Sequence, residues 1–494
     1  MTSDAHALKI KNDPRAADFR LFLALHLLFW VLVPWLSRRI LHYDSTEALA
    51  WGLTWEWGTN KHPPLSGWLA EGAVRLLGDP DLAVCILGQV CVVTAFIFIR
   101  RLALCFLDSE AAFFGTVFLE GTIYYNFSAS QYNVNVLSLA LVPAVTYFFW
   151  RAVQTGRLAF WLAAGLGGGL ALLTKYTNVF PALALALFLL VSPLGRRRLR
   201  DSGPWLAALL AGLVFLPHFL WLVHYDFLPF RYSQEKAAET LGLAARFLEP
   251  LRLLLAQAGN AAATLGLWGY LYFRTPAADR GPRRWPEAFL LCAGLGPLLL
   301  LLVSMELLGL SGSTKWAYAF LGYVPLLLFF CLPAAPPAAV RRRALILTYL
   351  VLAAFGTGFA AKNLTVTRAT TSVDGRGLAA ALQAAWAEET GRPLRYVGGA
   401  THLVSRVSTY LPARPRPLWR LDPQVTPWEG TDKVKAAGAL ALAFSAREYE
   451  AYQARWPGLP PSRRLDWTFR APLSRSAETL TIHYGLLQPA RPEK

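Results

Sequence analysis

The chain has 494 residues, of which 55% are hydrophobic and only 16% charged, with a mean hydropathy of +0.36. Soluble domains carry about 25% charged residues, so the composition excludes a water-soluble globular fold and reads as a polytopic α-helical membrane protein. The net charge of +17 does not mark a nucleic-acid binder, because the basic residues stand in short links between apolar runs, the positive-inside pattern.

A polar, mixed-charge lead-in precedes the first apolar run, 19–36, and no small-residue cleavage site follows it. It is expected to be a span and not a cleavable signal. About eleven transmembrane helices are expected, at 19–36, 82–99, 111–127, 134–150, 158–174, 178–194, 204–223, 253–273, 287–308, 317–333 and 344–361, most of them near the roughly 20 residues that cross a bilayer. With the N-terminus cytoplasmic, the clusters Lys9/Lys11/Arg15/Arg20, Arg100-Arg101, Arg151/Arg157, Arg196–Arg198/Arg200, Arg274/Arg280/Arg283/Arg284 and Arg341–Arg343 all face the cytoplasm. An odd number of spans then puts the C-terminus outside. The outer side receives loops at about 37–81 and 224–252, links near 128–133, 175–177 and 309–316, and the tail. All five cysteines lie in or beside apolar runs and read as packing residues.

The first outer loop, "YDSTEALAWGLTWEWGTNKHPPLSGWL" from Tyr43 to Leu69, concentrates acids, cations and indoles. Asp44 and Glu47 are three apart and share a face if helical. Ala48, Trp51 and Trp55 make a separate apolar stripe suited to an interfacial helix, and Trp57 and Trp68 extend an aromatic belt. Pro63-Pro64 ends one segment and opens the next. Two interfacial helices joined by "TNKHPP" are expected. Each residue also has a plainer reading: anchoring for the tryptophans, solvated charge for the acids, headgroup contact for Lys61 and His62.

Further along, Glu120 lies inside the third expected span, as a functional acid or a packed, hydrogen-bonded one. Asn133 and Asn135 sit on the next outer link, where they position a substrate or close the loop. Lys175 ends an apolar run, where an unpaired cation is costly unless it snorkels to the headgroups; Lys315 poses the same choice. His62 and His224 are outer imidazoles without the spacing of a metal site. The tail from about 362 mixes helix-like pieces ("GRGLAAALQAAWAEETG", "AREYEAYQARW") with strand-like ones ("PLRYVGG", "GALALAFS", "ETLTIHYGLL"). A division into a membrane domain, 1–361, and a small extracytoplasmic α/β domain, 362–494, is expected. "VGGATHL" lacks the full glycine fingerprint of a dinucleotide site, so no nucleotide is assigned.

The first-loop pattern, an acid after the first span, an aromatic-rich helix and a Lys-His-Pro-Pro-Leu turn, resembles bacterial glycosyltransferases of the dolichyl-phosphate-mannose protein mannosyltransferase superfamily, relatives of the aminoarabinose lipid A transferases with the GT-C fold. "ASQYNVN", "LLTKYTNVF", "LPHFLWLVHYDF" and "STKWAYAFL" match the family's later segments in order, so the resemblance covers roughly residues 19–361. Many relatives have adjacent Asp-Glu in the first loop; here Ser45-Thr46 separates Asp44 from Glu47.

The resemblance implies inverting transfer of a sugar from a polyprenyl-phosphate carrier to an acceptor hydroxyl of a lipid, glycan or protein on the outer membrane face. Asp44 is then the expected base, with Glu47 as alternative or orienting partner. Lys61, Lys175 and Lys315 are expected at the carrier phosphate, where charge develops on departure. His62, Glu120, Asn133, Asn135, His224, Arg231 and Tyr232 are candidate substrate contacts. No cofactor is required; a divalent metal is allowed, with His62 and His224 as its candidate ligands. Membrane lipids are the other expected partners, and the expected location is a bacterial inner (plasma) membrane. The competing class is a transporter or flippase for a lipid-linked sugar. Transporters show internal repeats and broken polar helices at the midplane, whereas these acids and lysines gather in loops and span ends on one side.

Overall fold

The computed structural model describes residues 9–237, 243–276, 287–308, 313–332, 336–368 and 370–490. Arg280, Arg283 and Arg284 of one expected basic link, and parts of the outer segments at 238–242 and 309–312, lie outside them.

The helices in chain order are α1 (Ala16–Ser37), α2 (Tyr43–Gly52), α3 (Leu65–Leu77), α4 (Pro80–Phe106), α5 (Ser109–Val117), α6 (Val134–Thr155), α7 (Leu158–Leu172), α8 (Val179–Val191), α9 (Pro193–Arg198), α10 (Gly203–His224), α11 (Leu228–Ala237), α12 (Leu243–Asn260), α13 (Ala262–Arg274), α14 (Ala288–Leu308), α15 (Val324–Phe330) and α16 (Ala338–Thr365). Among the described residues, α1, α4, α6, α10, α14 and α16 are long and apolar enough to cross a membrane, with shorter apolar helices at Leu158–Leu172, Tyr176–Val191 and Thr314–Phe330. Large apolar side chains such as Leu21, Leu36, Trp205, Leu209 and Leu220 are exposed on α1 and α10. Rows of this kind suit a lipid solvent and not water.

Two expected spans are broken. In place of one helix over 111–127, α5 stops at Val117 and 3₁₀ turns follow at Phe118–Gly121 and Ile123–Tyr125. The reason is tertiary. Gly121 packs against the backbone of Ala263 and Thr264. The carbonyls the helix releases find side-chain donors, Thr264 Oγ1 to Phe118 O at 2.7 Å and Asn126 Nδ2 to Thr122 O at 3.2 Å. Irregular backbone is tolerated at membrane depth only when its polar groups are satisfied within the protein. The span expected at 253–273 is likewise interrupted at Ala261, between α12 and α13.

The tail continues with α17 (Gly375–Thr390), β1 (Tyr396–Gly399), α18 (Thr401–Tyr410), β2 (Arg416–Trp419), α19 (Thr431–Ala437), β3 (Ala439–Ala443), α20 (Ala446–Arg455), β4 (Arg463–Phe469) and β5 (Glu478–Leu487). The sheet order is β2-β1-β3-β5-β4, with β1 parallel to β2 and β3 and with β5 antiparallel to β3 and β4. The apolar run "ALALA" is fully buried as β3, at the middle of the sheet, as a strand covered on both faces should be. Gly399, at φ 117°, lets β1 turn into α18 against Leu442, where a Cβ has no room.

The tail is fastened to the helical body by polar contacts. Tyr410 Oη accepts the Leu41 N–H at 2.7 Å and donates to Asp81 at 3.0 Å. Arg376 pairs with Asp81 at 2.7 Å, and Arg414 with the buried Glu71 at 2.7 Å. Apolar side chains from both parts, such as Ile40, Leu49, Leu403 and Val407, join one continuous core.

Candidate functional site at the bundle rim

The loop after α1, expected on the outer side, forms two helices, α2 and α3, as its sequence pattern implies. His42 caps α2, its Nδ1 accepting the Asp44 N–H at 3.4 Å, which sets Asp44 and Glu47 within the first turns. The helix ends at Gly52 because Gly52 and Gly67 bring the backbones of α2 and α3 into contact, with no space for a Cβ on either. Trp55, at φ 54°, is therefore off the helix and exposed, while Trp51 is buried. The expected continuous Trp51–Trp55 stripe does not form, and α2 is covered instead by α18 of the tail.

The "NKHPP" turn folds around Thr59, whose hydroxyl accepts the N–H groups of Lys61 and His62 at 3.1 and 2.9 Å. Leu65 N–H then donates to Leu173 O at 3.1 Å. That bond ties this turn to the one after α7, which carries Lys175.

Each acid acquires its own lysine. Lys315 Nζ lies 2.5 Å from Asp44 Oδ2, and Lys61 forms an ion pair and hydrogen bond with Glu47. Tyrosine rings flank both cations, Tyr43 at 5.4 Å from Lys315 and Tyr232 at 5.3 Å from Lys61. Burial opposes the charge on Lys61, but Glu47 and Tyr232 outweigh it and hold its pKa above the ordinary lysine value.

Lys175 differs. It is buried, and its Nζ donates to Asn135 Oδ1 at 2.7 Å and to the Lys315 carbonyl at 3.0 Å, with no carboxylate partner among the described residues. Burial first, and then the neighbouring Lys315 charge, pull its pKa down to about 7. Asn133 caps α6 and receives the Asn135 side-chain amide at 2.9 Å, so the two asparagines orient Lys175. A narrow hollow here is lined by Asn135, Ser138, Lys175, Asn178 and Lys315. A larger one, about 130 Å³, lies in the tail beside Leu418, Asp422 and Trp456. Its buried acid, Glu429, is already paired with Arg416 at 3.2 Å, and it holds none of the rim lysines.

His62 stands beside the lysines, its ring 5.4 Å from Trp51. Burial, reinforced by the charges of Lys175, Lys61 and Lys315, drives its pKa down to about 3; it is a neutral imidazole whose Nδ1 has no partner. His224 is exposed at the end of α10 against Tyr225, and Arg231 is exposed with its guanidinium 3.4 Å from the Tyr225 carbonyl. Among the described residues no group of three or more His, Cys, Asp or Glu side chains gathers as a metal would require. Glu120 belongs to a different cluster. It is fully buried, 2.6 Å from His26 Nδ1 and 3.0 Å from Trp30 Nε1, and His26 in turn contacts Gln89 at 3.0 Å.

Several rim residues escaped sequence reasoning. Tyr124 and Gln257 both donate to Thr314 O, at 3.3 and 3.2 Å, and so fix the turn bearing Lys315. His42 sits 3.8 Å from Asp44, and burial lowers its pKa to about 4. From the tail come His402, with its ring 4.6 Å from that of Tyr43, and Arg420, 5.8 Å from the Tyr232 ring. The one available signal was the histidine within "VGGATHL".

Residues 61–221 match the family described as dolichyl-phosphate-mannose-protein mannosyltransferase, a stretch that holds Lys61, His62, Asn135 and Lys175 but not Asp44 or Lys315. Lipid A galacturonosyltransferase RgtD of Rhizobium johnstonii is 25% identical over 209 residues, 40% of this chain and 43% of its own. Lipopolysaccharide core galacturonosyltransferase RgtB of the same organism is 26% identical over 288 residues, 56% of each. The chain thus spans about half the length of the curated relatives it matches. Crystal structures of ArnT from Cupriavidus metallidurans share its fold. The form bound to undecaprenyl phosphate superposes with a TM-score of 0.59 at 14% identity, over 95% of this chain and 99% of that one. The apo form gives 0.61 at 14% identity, over 96% and 99%. The chain thus has the membrane-protein fold of ArnT and, within it at residues 61–221, a segment similar to the mannosyltransferase family.

Proposed function

We propose that the chain is an inverting glycosyltransferase that moves a sugar from a polyprenyl-phosphate donor to an acceptor hydroxyl at the outer face of the membrane. The observation that carries this reading is the convergence at one rim of Asp44 with Lys315 and of Glu47 with Lys61, with Lys175 bonded to the Lys315 carbonyl. The Rgt relatives are named for transfer of galacturonosyl groups to lipid A or to the lipopolysaccharide core, and an ArnT of the same fold binds undecaprenyl phosphate. The former supports sugar transfer and the latter a polyprenyl-phosphate carrier.

In the proposed reaction the acceptor oxygen attacks the anomeric carbon and its proton passes to Asp44. The bond from that carbon to the phosphate oxygen breaks, and the lipid phosphate leaves with the electron pair. Asp44 is the better base of the two acids, because its side chain retains 17% exposure whereas that of Glu47 retains 7% and is boxed in by Lys61. Glu47 then orients Lys61. Lys175 carries no carboxylate partner, so it is the cation most available to a phosphate. Pre-placed charges of this kind stabilise a leaving group as its charge grows, without reorganisation. The neutral His62 and the Tyr232 ring complete the wall beside Lys61.

The test is transfer by the purified full chain from polyprenyl-phosphate sugars, with candidate donors and acceptors drawn from the cell envelope and products read by mass. Transfer with inversion supports the reading. Envelope glycans unchanged by deletion of the protein, together with no transfer from any such donor, would overturn it.

A further inference from the structure

The tail presents one face of α18 to the segment that leads into Asp44. His402, Arg406 and Tyr410 follow at four-residue spacing and so share that face. Tyr410 Oη accepts the Leu41 N–H at 2.7 Å, the Arg406 charge acts on His42, and the His402 ring lies tilted against that of Tyr43 at 4.6 Å. The face therefore runs along residues 41–43.

Arg406 is anomalous on that face. It is 4% exposed, and its Nε is buried without a hydrogen-bond partner. Among the described residues no carboxylate pairs with it; burial and Tyr410 are its only notable electrostatic influences. Three other tail arginines have a carboxylate: Arg414 has Glu71, Arg376 has Asp81 and Arg416 has Glu429. A buried cation with no counter-charge is strongly unfavourable unless a partner arrives. Two further features favour an anion here. The start of α18 has no side-chain cap, which leaves backbone N–H groups at the positive end of the helix, and His402 sits in that first turn, exposed.

Charge balance across the rim sharpens the point. Lys61 and Lys315 are each neutralised by an acid, whereas among the described residues Lys175, from the helical body, and Arg406, from the tail, are not. The charges of Lys315 and Arg406 both act on His42, which sits 3.8 Å from Asp44. A carrier phosphate supplies one anion.

We infer that Arg406, with His402 and the uncapped start of α18, forms a second oxyanion site that takes a carboxylate or phosphate borne by one of the two substrates. This rests on the sugar-transfer reading above and narrows it: besides the carrier phosphate, either the transferred sugar is acidic or the acceptor is.

The test separates binding from turnover. Thermal unfolding of the full chain in detergent is followed against inorganic phosphate and against glucuronate. In Lys175→Gln the midpoint still rises with at least one of these anions. In Lys175→Gln/Arg406→Gln the rise is lost, and with Arg406→Lys in place of Arg406→Gln it needs about tenfold more anion, since the bidentate fork is gone. An equal rise in both backgrounds, or none in Lys175→Gln alone, overturns the inference. Because no turnover is read, failure of the transfer reaction is distinguishable from failure of this site. Kinetics then name the source. Arg406→Gln, or Arg406→Lys should the former not fold, raises KM about tenfold for the substrate that bears the anion, with kcat little changed. Elevated donor KM assigns an acidic sugar and elevated acceptor KM an acidic acceptor. Unchanged KM for both, with only a lower unfolding midpoint, marks Arg406 as a packing residue and overturns the site.

Discussion

Lys315 and Asp44 are 271 positions apart in the chain and 2.5 Å apart in space. The bond joins the loop after α1 to the turn before a late apolar helix, and Lys175, from a third segment, reaches the carbonyl of the same Lys315. Three remote stretches of sequence thus close on one rim. The lysine also holds the Asp44 carboxylate in place, and it leaves the Lys175 ammonium facing no acid of its own.

Lys175 gives the first prediction. Its pKa, lowered to about 7 by burial and then by Lys315, means that it is charged below that pH and neutral above it. Donor capture that depends on the charge is present in acid and lost as pH rises through about 7. The profile of kcat/KM for the donor, which reports the free enzyme, is expected to fall on that limb. Lys175→Ala is expected to flatten the limb and to lower donor kcat/KM by about 10- to 100-fold. An unchanged profile in the variant would remove Lys175 from the phosphate site.

The tail's attachment gives the second. Glu71 is 2% exposed and holds both Arg414 at 2.7 Å and Arg75 at 2.8 Å. Removing one partner of a buried pair costs about 3–5 kcal/mol, because the other is left uncompensated. Glu71→Ala is expected to lower the unfolding midpoint and to expose the tail to limited proteolysis. In a double-mutant cycle, Glu71→Ala and Arg414→Ala should cost less together than the sum of the two. Additive losses would show that the pair does not hold the tail.

Glu120 gives the third. Its carboxylate is spent on His26 and Trp30 inside the bundle, so Glu120→Ala is expected to destabilise the protein by about 1–3 kcal/mol through orphaned polar groups, while KM for donor and acceptor stays within about twofold. A stable Glu120→Ala protein with a changed KM would return this residue to the substrate site.

Much of the rim was legible in the sequence because its residues violate their surroundings. Asp44, Glu47 and Lys61 are charges crowded into one indole-rich loop, Lys175 and Lys315 are cations beside apolar runs, and a charge in either place invites a reason. The partners were not legible. That Asp44 takes Lys315 while the nearer Lys61 takes Glu47 depends on how α2 and α3 cross at Gly52 and Gly67. The crossing also ended α2 before Trp55 and so broke the expected aromatic stripe. The interruption after Val117 arises from Thr264, well over a hundred residues away. Arg406 lies in a helix, Thr401–Tyr410, that the sequence did not announce, and its surroundings are set by the packing of that helix against α2. Local periodicity reports elements well, whereas pairings between remote segments are set by packing that no window of sequence contains.

The central claim is that Asp44 accepts the acceptor's proton. Asp44→Asn keeps the shape and removes the base, so its single-turnover transfer rate from a polyprenyl-phosphate sugar, measured beside wild type, is the most direct test. The account predicts a loss of about 10²- to 10⁴-fold, with the unfolding midpoint and donor affinity retained. Transfer at the wild-type rate by a folded Asp44→Asn protein would contradict it.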